Sequence, residues 1–260
     1  MLPAPSARLQ AADGIRAHVL PAGPNPFAEL FESVRWEAAG KGRRAAVLTR
    51  TGAAGEVPLV RTTARYAHPA QRFRAVHERL ARRIEEHAAL PARFDNALAE
   101  VYTNACTTMG AHSDLALDLA EESSIALFSC YRDPGAGRPR TLAFAPKGDA
   151  GGGFEIPLVH QGVVVFSVAA NRRFKHRILL DGPARAVDNE WLGVTFRTSR
   201  THLRFRAGRA HLPQGEELVA ASEEQQREFY RMRRRENEET DFHYPPLAYT
   251  VSGSDLLPPV

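Results

Sequence analysis

Cysteine is almost missing from this chain. Cys106 and Cys130 are the whole complement, and neither belongs to a Cys-x-x-Cys pair. Two thiols are too few for a disulfide framework, so both read as reduced. Long apolar runs are missing too. No stretch approaches the roughly 18 residues of a membrane span, and the opening Met1-Leu-Pro-Ala-Pro-Ser6 lacks a basic segment followed by an apolar one. A cytoplasmic protein with no membrane partner is expected. Lysine is scarce: Lys41, Lys147 and Lys175 stand against arginine clusters at Arg43-Arg44, Arg172-Arg173, Arg197 through Arg209 and Arg231 through Arg235. Guanidinium forks suit phosphate oxygens, which admits nucleic acid as a partner. A compositional bias that swaps lysine for arginine explains the same clusters equally well.

What is present suits one main domain. The chain has 260 residues, 43% hydrophobic and 25% charged, with a formal net charge of +4. Residues 1–25 are rich in Pro, Ala and Gly, an irregular arm with one short strand near Ile15 to Leu20. Asn25 and Pro26 suit the N-cap and first position of a helix carrying Phe27, Leu30 and Phe31. Extended pieces follow at Ala45 to Thr49 and Val57 to Val60. Phe73, Val76, Leu80 and Ile84 then recur at three and four residues, the spacing of an amphipathic helix that lies against a sheet.

From Phe94 the pattern changes to short strands separated by Gly and Pro turns. Phe94 to Tyr102, Ser124 to Tyr131, Thr141 to Phe144, Phe154 to Leu158, Gly162 to Phe166, Phe174 to Ile178 and Trp191 to Arg197 all read as extended, with a loop between Phe166 and Phe174. Such a series behind supporting helices predicts an α+β protein with a double-stranded β-helix, or jelly-roll, core. The expected organisation is a domain over 1–210, with its jelly roll at about 94–206, and a helical and extended appendage over 211–260. A charged surface helix is expected between Glu216 and Glu239.

Within this frame His112 and Asp114 stand two positions apart on an extended segment, so both point to the same face. His176, on a distant strand, completes two imidazoles and one carboxylate. That donor set holds Fe(II) on one face and leaves the rest of its coordination sphere open to O2 and substrate. A His-x-Asp tripeptide alone is a weak signal, since surface hydrogen bonding satisfies such residues just as well.

Order and spacing add to it. Phe94-Asp-Asn-Ala-Leu98 with Tyr102, Met109-Gly110 with His112-Ser113-Asp114, Ser124-Ile125-Ala126, Gly162-Val-Val-Val165, His176 and Val194-Thr195-Phe196-Arg197 together resemble the AlkB-like family of Fe(II)/2-oxoglutarate dioxygenases, over roughly Phe94 to Arg197. The resemblance implies that His112, Asp114 and His176 are the catalytic iron ligands. It further implies that 2-oxoglutarate and O2 become succinate and CO2 as a substrate C–H bond is oxidised.

It also implies cosubstrate-binding positions. Tyr102 matches a tyrosine that meets 2-oxoglutarate, and Arg197 matches the second of two arginines six residues apart. The first arginine position holds Trp191, and the asparagine between them is Gly193. The usual asparagine two residues before the tyrosine is Glu100. Arg200 is therefore the nearest replacement anchor in sequence, and Asn104 replaces the missing asparagine if the strand continues past Tyr102. Asp118, Glu121 and Glu122 follow the metal motif as acidic residues do in relatives. The expected function is hydroxylation or oxidative demethylation of a small metabolite. The alternatives are oxidative demethylation of an alkylated base in nucleic acid, and a catalytically inactive jelly roll that binds nucleic acid.

Overall fold

Strands built almost wholly from apolar residues must be covered on both faces, and four of them lie side by side at the centre of this protein. The computed structural model describes residues 9–12, 14–148, 151–182 and 187–260. In chain order its elements are β1 (Leu9–Ala12), β2 (Ile15–Val19), α1 (Phe27–Glu32), β3 (Glu37–Gly40), β4 (Arg43–Thr49), β5 (Val57–Leu59), β6 (Gln71–Arg72), α2 (Ala75–His87), β7 (Asn96–Tyr102) and β8 (Ser124–Tyr131). Then come β9 (Thr141–Pro146), β10 (Phe154–Pro157), β11 (Gly162–Ser167), α3 (Val168–Arg173), β12 (Phe174–Leu179) and β13 (Trp191–Arg197). The last are β14 (Thr201–Arg206), β15 (Arg209–His211), β16 (Val219–Ala220), α4 (Glu223–Glu238) and β17 (Tyr249–Thr250).

The main sheet runs β1-β2-β11-β8-β13-β7-β4-β3, with β6 beside β4. Its period-two alternation separates two cores. Phe128, Val163, Val165, Leu192, Val194 and Phe196 face outward onto Phe27 and Leu30 of α1 and Val76, Leu80 and Ile84 of α2. Their neighbours Leu127, Val164, Phe166, Trp191 and Tyr102 face inward onto Leu142, Phe144, Ile156 and Ile178. These last four belong to a second sheet, β10-β9-β12. Two sheets closed face to face, with α1 and α2 outside one of them, form the double-stranded β-helix.

The chain beyond β13 binds back onto this body. β14 and β15 form a hairpin whose first strand pairs with β5. Phe229 and Met232 of α4, with Leu247 and Tyr249, cover Leu115 and Leu117 just after the His-x-Asp segment. One buried arginine fastens three distant segments. Arg61 donates to both carboxylate oxygens of Asp118 at 2.8–2.9 Å and to the carbonyls of Leu247 and Tyr249 at 2.8 and 2.9 Å.

Two readings of the sequence are corrected here. Residues 168–173, expected as a loop, form the short helix α3, capped by the Ser167 side chain accepting from the Ala170 N–H at 3.0 Å. The strand entering the metal motif ends at Tyr102 and does not continue through Asn104. Among the described residues no helix is long and apolar enough to cross a membrane. Residues 1–8 of the expected N-terminal arm lie outside the described residues.

Candidate metal centre

His112 and His176 are brought together by backbone pairing. The His112 N–H donates to the His176 carbonyl at 3.0 Å and the His176 N–H returns to His112 at 2.6 Å, an isolated antiparallel bridge. Asp114 is then two residues along the same segment, on the same side. One ligand atom from each of the three side chains lies within 4.8 Å of the others, the spacing of donors around one ion.

The surrounding residues fix each donor. His112 Nδ1 lies 2.8 Å from the Gly110 carbonyl, so this nitrogen is the donor there and Nε2 is the ring atom left for a metal. His176 Nε2 stands 3.6 Å from Asp114 Oδ1, with the ring between Phe144 and Phe166. Burial, and after it the neighbouring His112, push the His176 imidazole down to about 3 despite Asp114, so it is neutral and able to ligate. Burial raises the cost of ionising Asp114, but the Arg197 guanidinium and both imidazoles outweigh it and hold the carboxyl well below the ordinary carboxylate range. Arg197 donates through Nε at 2.8 Å and NH2 at 2.7 Å to Oδ2, leaving Oδ1 on the histidine side. The structure thus brings His112, Asp114, His176 and Arg197 into one cluster.

The side-chain amide of Asn171, on α3, clasps the extended segment that carries His112 and Asp114. It accepts from the Asp114 N–H at 2.7 Å and donates to the Asp114 carbonyl at 2.8 Å. A buried amide thus stands in for a strand partner just five residues before His176. From the other side α4 grips Ser113: Asn237 accepts from its N–H at 3.0 Å, and Arg233 donates to its carbonyl.

Two spaces meet at the cluster. An inner cavity of about 70 Å³ is bounded by Leu98, Leu127, Leu142, Phe166 and Ile178 with Arg43 and Glu100. An outer cleft of about 690 Å³ opens beyond His112 and Asp114, walled by residues 60–64, Tyr66 and α4. Tyr102, expected at the cosubstrate, is buried in the inner core and turns its hydroxyl to Glu100 at 3.2 Å.

Asn104 and Arg200 line neither space. The Asn104 amide donates to the Val187 carbonyl at 2.9 Å, because the chain turns at the end of β7. Arg200 follows a turn organised by Ser199 and donates to the Leu117 carbonyl at 3.0 Å. Trp191 occupies the position of the missing first arginine. Its indole lies over Gly193, where an added Cβ would come within 2.2 Å of the ring, and its Nε1–H donates to Ser129 at 2.7 Å. Beside Arg197, a second cation reaches the inner cavity that was not signalled by the sequence: Arg43 of β4, in register with Tyr102, bonded to Glu100 at 2.5–2.6 Å. Only strand pairing across 57 residues reveals it.

A jelly roll carrying two imidazoles and one carboxylate defines the class: a scaffold with a three-ligand metal face. No family model and no curated protein matches this chain. Among solved structures, "The structure of OsALKBH1" is similar at 14% identity, covering 74% of this chain and 100% of that one with a TM-score of 0.48. A Pseudomonas putida prolyl-4-hydroxylase is similar at 14% identity, covering 71% and 92%, with a TM-score of 0.40. These are distant likenesses of shape, and the chemistry below rests on the side chains.

Proposed function

We propose that the protein is a mononuclear Fe(II) oxygenase that oxidises a C–H bond of a small molecule, with a 2-oxo acid as cosubstrate. The observation that carries this reading is the convergence of His112, Asp114 and His176, with Asp114 held ionised and His176 held neutral. Two neutral nitrogens and one carboxylate fit Fe(II) and leave its other positions free. When bound, the ion and the 2-oxo acid supply the oxidising power, with O2 consumed as 2-oxoglutarate becomes succinate and CO2.

The chain's own residues bind and orient. Arg197 fixes the rotation of the Asp114 carboxylate, and Asn171 fixes its backbone. The second carboxylate of 2-oxoglutarate needs a cation, which the Trp191 position does not supply. Arg43 on the inner wall meets that need, sharing its charge with Glu100. The apolar walls from Leu98, Leu127, Leu142, Phe166 and Ile178 keep water from the reacting centre. A small substrate is favoured over nucleic acid because many arginines of the clusters are matched by acids: Arg44 by Glu190, Arg172 by Glu121, Arg204 by Glu56, Arg209 by Glu217 and Arg235 by Glu239.

The test is conversion of 2-oxoglutarate to succinate by the Fe(II)-loaded protein under air. Metal-dependent turnover in wild type, abolished by His112→Ala, is expected. Absence of succinate at every iron and cosubstrate concentration would sink the proposal.

A further inference from the structure

The outer cleft is rich in donors and poor in acceptors. Arg43, Arg61, Arg197, Arg233 and Arg234 line it, and among its described lining residues Asp114 is the sole carboxylate. Four of these cations are already committed. Arg43 pairs with Glu100, Arg61 with Asp118, Arg197 with Asp114 and Arg233 with Glu236. Arg234, on the exposed face of α4, has no acidic partner among the described residues.

Across the cleft stands Tyr66. Its side chain is 4% exposed, yet its hydroxyl has no hydrogen-bond partner among the described residues. Leaving a buried hydroxyl unpaired is unfavourable, so a ligand acceptor that meets it gains correspondingly. Burial, then Glu100, pushes the Tyr66 hydroxyl up to about 12, keeping it a neutral donor. The volume is that of a small-molecule pocket, about 690 Å³, against the roughly 300–1,000 Å³ usual for such ligands. Its α4 wall is clamped to Ser113, as described above.

We infer that the substrate is an anionic small molecule, its oxyanion held by the Arg234 guanidinium and a second acceptor by the Tyr66 hydroxyl, with the C–H to be oxidised lying between them and the metal side chains. This rests on the oxygenase reading but uses residues outside the metal cluster. A carboxylate and a phosphate share the required chemistry.

The experiment titrates fluorinated phenylpropionate, its primary amide and a fluorinated phenyl phosphate into metal-free and zinc-loaded protein, followed by fluorine NMR. Wild type is expected to bind one of the two anions on the order of tenfold more tightly than the amide, as a charge-assisted hydrogen bond gives. Which anion wins identifies the oxyanion. Arg234→Gln should erase the preference, and Tyr66→Phe should weaken acid and amide alike by a few-fold.

Equal binding of the amide and both anions, no binding of any probe, or a preference that survives Arg234→Gln each overturns the inference. So does displacement of the probe by a methylated single-stranded oligonucleotide with steep salt dependence lost in Arg234→Gln, which reassigns the cleft to nucleic acid. Failure of zinc itself to bind, read separately with a competing chelator, would instead remove the metal reading, while the anion preference would still be scored in the metal-free protein.

Discussion

Asn171 shows how much a single neutral side chain can govern. By bonding both backbone groups of Asp114 it fixes the segment that carries His112 and Asp114, and its position on α3 ties that segment to His176. Asn171→Ala should lower zinc affinity, measured with a competing chelator, by roughly 10- to 100-fold, the range for partners that orient metal ligands. Arg43 and Glu100 supply a second residue-scale prediction. Glu100→Gln frees the Arg43 charge and should tighten 2-oxoglutarate binding to the zinc-loaded protein in calorimetry. Arg43→Met in that background should reverse the gain, and no change in either variant would exclude Arg43 as the anchor.

His77 carries a third. It accepts the Arg74 N–H at Nδ1 and faces the Ser33 hydroxyl through Nε2, 3.0 and 2.8 Å away. Burial, then Arg74, pushes it down to about 4. Because its folded-state value lies below the unfolded one of roughly 6.5, the unfolded chain takes up the proton first. Its contribution is therefore complete above about pH 6.5 and is lost as the pH falls toward 4, on the order of 3 kcal/mol across that window. The urea midpoint of wild type should fall over that range more steeply than that of His77→Phe.

At the scale of elements, most of the jelly roll was legible because the pattern that folds it is local. Apolar strands between Gly and Pro turns need no distant information, and β8 and β13 coincide with the segments read from sequence. The helix α3 was not legible, since Val168–Arg173 is under two turns and its cap, Ser167, also ends a strand. The same limit explains the site. His112, Asp114 and His176 lie in a recognisable order, whereas Tyr66, Arg43 and Arg234 gain their positions only from strand pairing and helix docking far along the chain. Asn104 was misplaced because β7 ends two residues sooner than the extrapolation required, and Arg200, chosen only as the nearest arginine in sequence, lies beyond the turn that follows β13. Trp191 and Gly193 test that local packing. Gly193→Ala should destabilise the fold by pressing a methyl into the indole, and Trp191→Leu in the same chain should recover part of the loss, a coupling a double-mutant cycle would read.

For the whole molecule, Arg61 joins the loop after β5, the turn after the metal motif and the returning C-terminal segment. Arg61→Met removes a buried charge and leaves Asp118 uncompensated, a change that typically costs about 3–5 kcal/mol. Unfolding followed by tryptophan fluorescence and by loss of zinc should move down together in this variant. Separate transitions would show that the C-terminal segment folds independently of the core.

Arg233 and Asn237 take hold of Ser113, the residue between two of the ligands, and the same helix face borders the space a substrate would enter. A guest that leans on this helix therefore also tugs the segment carrying His112 and Asp114. Arrival at the mouth would be felt at the ion before any bond is broken.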